Sequence, residues 1–166
     1  METQTQTIEQ LKVVISDCKT GQAPQKLITV GLGSCVGIAL YDAKSKVGGL
    51  SHIMLPDSST FKDQTKWQKF ADLAIPQLVA DMKEKTGAIR IEAKIAGGAS
   101  MFSFGGEEKG PKIGERNILA VKKSLAALNI PLKGEHTGGK MGRTMIVDLE
   151  TFEVTIRMVN REIFIL

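Results

Sequence analysis

Aromatic side chains are scarce in this sequence, with one tryptophan, one tyrosine and six phenylalanines among 166 residues. Lysine and arginine number 22 against 18 acidic residues, a net charge of +4, and nowhere do they gather into a basic cluster. A reader of nucleic acid needs a basic footprint and rings on which bases stack; the sequence offers neither. The mildly basic balance suits an acidic protein partner equally well. No apolar run approaches the roughly 18–20 residues that span a bilayer, so no membrane insertion is expected. The opening METQTQTIEQ is polar and lacks the basic-then-apolar pattern of an export signal. Cysteine and histidine are equally rare, two of each: Cys18, Cys35, His52 and His136. Two thiols make no disulfide framework, and without an export signal they read as reduced and the protein as cytoplasmic. None of the four shows the close paired spacing of a zinc site. The site is read as having no metal, and no cofactor is called for.

What remains is an ordinary globular composition, 42% apolar and 24% charged. Its length fits one domain over residues 1–166, with about the first nine a flexible lead-in. Leu11, Val13 and Ile15 alternate with Lys12, Val14 and Ser16, which reads as a strand, and the polar KTGQAPQ that follows reads as a turn. A short strand from Leu27 to Val30 ends in Gly31-Leu32-Gly33. The runs VGIALYD and VGGLSHIML flank the polar turn 43–46, a hairpin signal. Apolar residues at helical spacing predict a helix from Thr65 to about Lys85, kinked or broken at Pro76, and a second from about Glu115 to Leu128. The second carries Ile118, Val121, Leu125 and Leu128 on its apolar face. Between them lie a strand at Ile89–Ala96 and a glycine-rich loop from Gly97 to Gly114. Strands near Leu132–His136, Arg143–Leu149 and Phe152–Val159 close the chain. The apolar Ile163-Phe164-Ile165-Leu166 reads as a final packed strand. About six or seven strands and two substantial helices predict an α/β (α+β) layered sandwich, with mainly antiparallel or mixed sheet.

The hairpin makes one cysteine–histidine pairing special. If its turn centres on Ala43-Lys44, Cys35 lies directly across from His52, and facing residues in an antiparallel pair have Cβ atoms about 4.5–5.5 Å apart. A longer turn shifts that register. Both residues then share a face with the small Gly37, Ala39 and Gly48. A thiol with a pKa near about 8.5 is mostly protonated at neutral pH, and a neighbouring imidazole can take its proton. Backbone N–H groups around Gly33 and Ser34, in the tight turn before Cys35, can hold an oxyanion. Thr29 offers a hydroxyl to the second imidazole nitrogen. Gly138 and Gly139 lie in a glycine-rich segment, a turn or the wall of a substrate groove. The bland alternatives carry comparable weight: a lone cysteine in apolar company is usually core, and a strand threonine is ordinary. The residues alone leave the two readings open.

Two resemblances to nucleotide motifs fail. Gly31-Leu32-Gly33 opens like a dinucleotide fingerprint, but Val36 stands at the third glycine and a strand, not a helix, follows. The stretch from Gly134 to Lys140 approaches a phosphate loop, but Met141 replaces the magnesium-binding hydroxyl and a strand follows from Arg143. His136 is left as a loop or strand-end residue.

The stretch TVGLGSCVGIALYD (29–42) followed by GLSHIMLP (49–56) closely resembles the chemoreceptor glutamine deamidases of bacterial chemotaxis, the CheD family. GGASMF (97–102), IGERN (113–117) and TGGKMGR (137–143) match that family's pattern in the same order. The resemblance implies a sandwich related to the cytotoxic necrotizing factor deamidases, with Cys35, His52 and Thr29 as catalytic residues. It implies that glutamines on the cytoplasmic helices of chemoreceptors are converted to glutamate, and that the CheC phosphatase is a partner. The rival readings are a non-catalytic adaptor that binds receptors or CheC, and a thiol hydrolase acting on esters or peptides.

Overall fold

The computed structural model describes residues 7–59, 61–62, 66–87, 90–100 and 112–166. Ten strands and two α-helices form three layers among them. The strands are β1 (Gln10–Lys12), β2 (Cys18–Gln22), β3 (Lys26–Leu32), β4 (Val36–Asp42), β5 (Val47–Ile53), β6 (Ile91–Gly97), β7 (Leu132–Thr137), β8 (Arg143–Asp148), β9 (Val154–Met158) and β10 (Ile163–Ile165). The helices are α1 (Ala71–Thr86) and α2 (Ile113–Ala127). One sheet has the order β1-β3-β8-β9-β10 and the other β2-β5-β4-β6-β7. Only β1–β3 and β6–β7 pair in parallel. The mixed two-sheet sandwich with two main helices is the predicted fold class.

β4 is buried at every position from Val36 to Asp42 because it is central and both its faces are covered. Val36, Ile38 and Leu40 pack towards α1 and α2, against Ile75, Leu78, Met82, Val121 and Leu125. Ala39 and Tyr41 turn the other way and meet Leu27, Met145, Val147 and Ile156 of the facing sheet. A large-to-alanine change at a fully buried site such as Ile38 costs about 2–5 kcal/mol.

Several expected boundaries move. β1 ends at Lys12; Val13 is buried, but Val14 and Ile15 are exposed and Ser16 adopts φ 59°. That left-handed residue turns the chain into β2, so the alternation Leu11–Val13–Ile15 does not continue as a strand. The polar segment read as a turn holds all but Cys18 of β2, an edge strand paired with β5. Its one buried residue is Gly21, so no apolar alternation marks it. The described residues hold ten strands against the six or seven counted, and β2 alone lies in no segment read as a strand. α1 begins at Ala71, after a 3-10 turn at Trp67–Lys69, and runs unbroken through Pro76. Pro76 is exposed, so the carbonyl that it leaves unpaired four residues back is on the wet side of the helix. On α2 the buried positions are Gly114, Asn117, Val121 and Leu125, while Leu128 is exposed. β10 is the expected terminal strand, and its three side chains are exposed. Within the expected loop 97–114, residues 101–111, which include Met101 and Phe102, lie outside the described residues.

Candidate functional site

The register of the β4–β5 hairpin differs from the expected one by two residues. Asp42 pairs with Val47, so the connection is the four-residue loop 43–46. Asp42 builds that loop: its carboxylate accepts from Ser45 Oγ at 2.8 Å and Lys44 N–H at 3.3 Å, and its carbonyl accepts from Lys46 N–H at 2.8 Å. His52 consequently faces Gly37, not Cys35. A shift of two keeps every side chain on its face. Cys35, just before β4, packs between the sheets with Leu32, Ala39, Leu50 and Met145. His52 shares the face of Leu50. The two are diagonal neighbours on one face. Their separation in a regular ladder is about 7–8 Å, within reach of a long or aromatic side chain. Gly37 marks a close approach of the sheets: a Cβ there would sit 2.8 Å from Met145 Sδ and 3.5 Å from Thr29 Cγ2.

Thr29 on β3 reaches across from the other sheet. Its Oγ1 is 2.6 Å from His52 Nδ1 and 2.6 Å from the carbonyl oxygen of Val13. A carbonyl only accepts, so the hydroxyl proton goes to Val13. Nδ1 must then carry a proton and donate it to Oγ1. The other nitrogen, Nε2, is left with its lone pair, buried and without a partner among the described residues. The imidazole is 1% exposed, and burial pushes its pKa down from 6.5 to about 4. His52 is therefore a neutral, oriented base at neutral pH. Its main chain is pinned as well, donating to Asp17 O at 3.0 Å and accepting from Ser16 N–H at 2.9 Å.

Cys35 is buried, which raises its thiol pKa, an effect that its own backbone N–H partly offsets. No hydrogen bond joins its sulfur to His52 Nε2. The resting pair is uncharged thiol and uncharged imidazole. The turn before Cys35 is locked by three glycine-rich segments. Gly33 N–H donates to Gly31 O at 3.1 Å, Ala99 N–H to Gly33 O at 2.8 Å, and Gly98 N–H to Cys35 O at 2.8 Å. Gly138 N–H donates to Gly97 O, and Ser100 N–H to Gly139 O, each at 2.9 Å. The N–H groups of Gly33 and Gly138 are thus engaged, whereas those of Ser34, Cys35 and Gly139 have no backbone acceptor among the described residues.

Two buried polar residues hold this arrangement and were not singled out in the sequence. Arg143 donates to the carbonyls of His136 at 2.7 Å, Met141 at 3.2 Å and Gly138, and meets His136 Nδ1 at 2.8 Å. It folds the Gly138–Gly142 bend that touches Gly97 and Ser100. Asn117 is fully buried on the first turns of α2 and donates to Ser34 O at 2.9 Å and Met54 O at 3.0 Å. Its signal was present: an amide at a core position of an otherwise apolar helical stripe. His136 lies in β7, its ring 4.5 Å from that of Phe164. The Cys18 thiol is pushed up to about 11 by burial and then by Asp17. Among the described residues no group of three His, Cys, Asp or Glu side chains converges to ligate a metal, and no helix is long and apolar enough to cross a membrane.

Residues 54–158 match the family described as "CheD chemotactic sensory transduction". A protein of Clostridium acetobutylicum named "Probable chemoreceptor glutamine deamidase CheD" is 51% identical over 156 residues, covering 93% of this chain and 94% of its own length. One of the same name from Clostridium botulinum strain Hall is 55% identical over 155 residues, covering 92% and 95%.

Proposed function

The chain belongs to the CheD family, and from that premise we propose that it is a protein-glutamine deamidase of chemotaxis, acting in the cytoplasm on glutamines of chemoreceptor helices. CheC phosphatase is the partner implied by the family resemblance. The observation that carries the chemistry is the bare Nε2 of His52, held by Thr29 in the layer that also buries Cys35. An adaptor acting by occupancy has no need of an oriented, unpartnered base.

His52 Nε2 takes the thiol proton as Cys35 Sγ attacks the carboxamide carbon of glutamine. The oxyanion forms beside the N–H groups of Ser34 and Cys35. The tetrahedral adduct collapses, His52 returns the proton to the departing nitrogen, and ammonia leaves a thioester on Cys35. Water, losing a proton to His52, then hydrolyses the thioester to glutamate and restores the thiol. The sulfur-to-imidazole contact closes when substrate enters, as catalytic hydrogen bonds that are long in the free enzyme commonly do.

The test is to incubate the protein with a receptor cytoplasmic fragment and follow by mass spectrometry the exchange of NH2 for OH at glutamine. Cys35→Ala should abolish it, and His52→Ala should be nearly as damaging, because base and nucleophile act as a unit. Thr29→Ser should keep activity, whereas Thr29→Val should lose roughly 10–100-fold, the usual cost of removing a residue that orients a functional imidazole. Full activity in Cys35→Ala would sink the proposal.

A further inference from the structure

We infer that Asn117 is a positioning residue that aims the Cys35 peptide N–H at the oxyanion and couples it to the strand of His52; this rests on the deamidase reading above. The amide nitrogen of Asn117 donates to two carbonyls, Ser34 O at 2.9 Å and Met54 O at 3.0 Å. Both partners can only accept, so the NH2 group, not the oxygen, faces them. Ser34 C=O and Cys35 N–H are two ends of one planar trans peptide and point in opposite directions. Gripping the carbonyl from the α2 side therefore turns the Cys35 N–H away from α2. That N–H has no backbone acceptor among the described residues.

The same hydrogen bond polarises the peptide, so the N–H at its far end becomes a stronger donor. Met54 lies two residues beyond His52, so one side chain bridges the nucleophile's turn and the base's strand. The helix end that carries Asn117 is itself seated closely. A Cβ on Gly114 would come within 2.5 Å of Ala99 O and 2.6 Å of Gly98 O, which leaves no room for a side chain between α2 and the segment bound to Cys35. An ordinary core position would use a leucine here. The buried amide is costly unless paired; both its N–H groups are spent on this one junction, while its Oδ1 is buried without a partner among the described residues.

The experiment uses the full chain and Asn117→Asp, which keeps the shape and replaces the donor by an acceptor; Asn117→Ser, which adds no charge, is the second variant. Turnover on a receptor fragment should fall about 100-fold in kcat, in line with the loss of one oxyanion donor, with KM within about threefold of wild type. In a nitrogen-15 amide spectrum the Cys35 resonance should move in both variants, while those of β8 and β9 stay in place. An unmoved Cys35 amide, a kcat within about threefold of wild type, or a loss carried by KM would overturn the inference. Loss of native amide dispersion in both variants would also overturn it, in favour of a purely architectural asparagine. A wild-type protein that fails to deamidate the fragment would defeat the functional reading instead, and the Cys35 resonance would still decide whether Asn117 sets that peptide.

Discussion

At the scale of single residues, the proposed site is built on a histidine that folding keeps uncharged. The unfolded chain binds a proton on His52 below about 6.5, whereas the native state resists it until about 4. As pH falls between those values the unfolded state gains protons that the native state does not, so stability drops. It is fully retained above the upper value, and the loss approaches on the order of 3 kcal/mol below the lower one. Urea unfolding of wild type and of His52→Gln across that window isolates the effect: wild type should lose more stability than the variant, and parallel loss would contradict a neutral buried imidazole. Cys35 and His52 were legible as candidates because so few residues of their kind exist. Thr29 was harder. It looks like any β-branched strand residue, and its contact with His52 joins strands of two different sheets, which neither spacing nor periodicity encodes.

At the scale of elements, backbone geometry around Cys35 admits no side chain at one position. Gly97 ends β6 at φ 110°, and a Cβ there would lie 2.2 Å from the Cys35 carbonyl oxygen. Gly87, after α1, has φ 82° and ψ −103°, and a Cβ there would meet nothing within 4 Å among the described residues. Gly87→Ala should therefore cost only the strain of a backbone conformation that side chains rarely adopt, about 1–3 kcal/mol, while Gly97→Ala adds displacement of the Cys35 turn. Thermal unfolding and deamidation of the two variants check this: Gly97→Ala should be the less stable and should lose activity, and equal behaviour would show that the contact is slack. The elements themselves were largely readable, since β4, β5 and both helices carry strong periodic patterns. The hairpin register was not. It turned on whether Asp42 would close a four-residue loop through Ser45, a side-chain choice between two plausible turns. A shift by two left the faces intact, whereas a shift by one would have separated Cys35 from His52.

Across the whole molecule, the candidate site lies where the two sheets and the start of α2 converge. β3 supplies Thr29, the turn after it Cys35, β5 His52, and α2 Asn117, while Arg143 braces the bend from β7 to β8. Layered α+β architecture followed from the order of elements, but which sheet each strand joins did not, because edge strands such as β2 carry no apolar alternation. Asn117 was legible as an amide in the apolar stripe of α2, but its partners were not, because they lie more than sixty residues away in the chain. The buried, uncharged state of Cys35 has a consequence for survival under oxidative stress. Peroxide and soft electrophiles attack thiolates, and the low-pKa cysteines of many hydrolases are damaged for that reason. Here the sulfur is protonated and shielded by its burial between the sheets. Dimedone trapping after peroxide treatment should label Cys35 more slowly than a free thiol of ordinary acidity, and faster labelling would refute it. A cell exposed to oxidants would then keep this arm of its sensory adaptation when more acidic thiols have already been silenced.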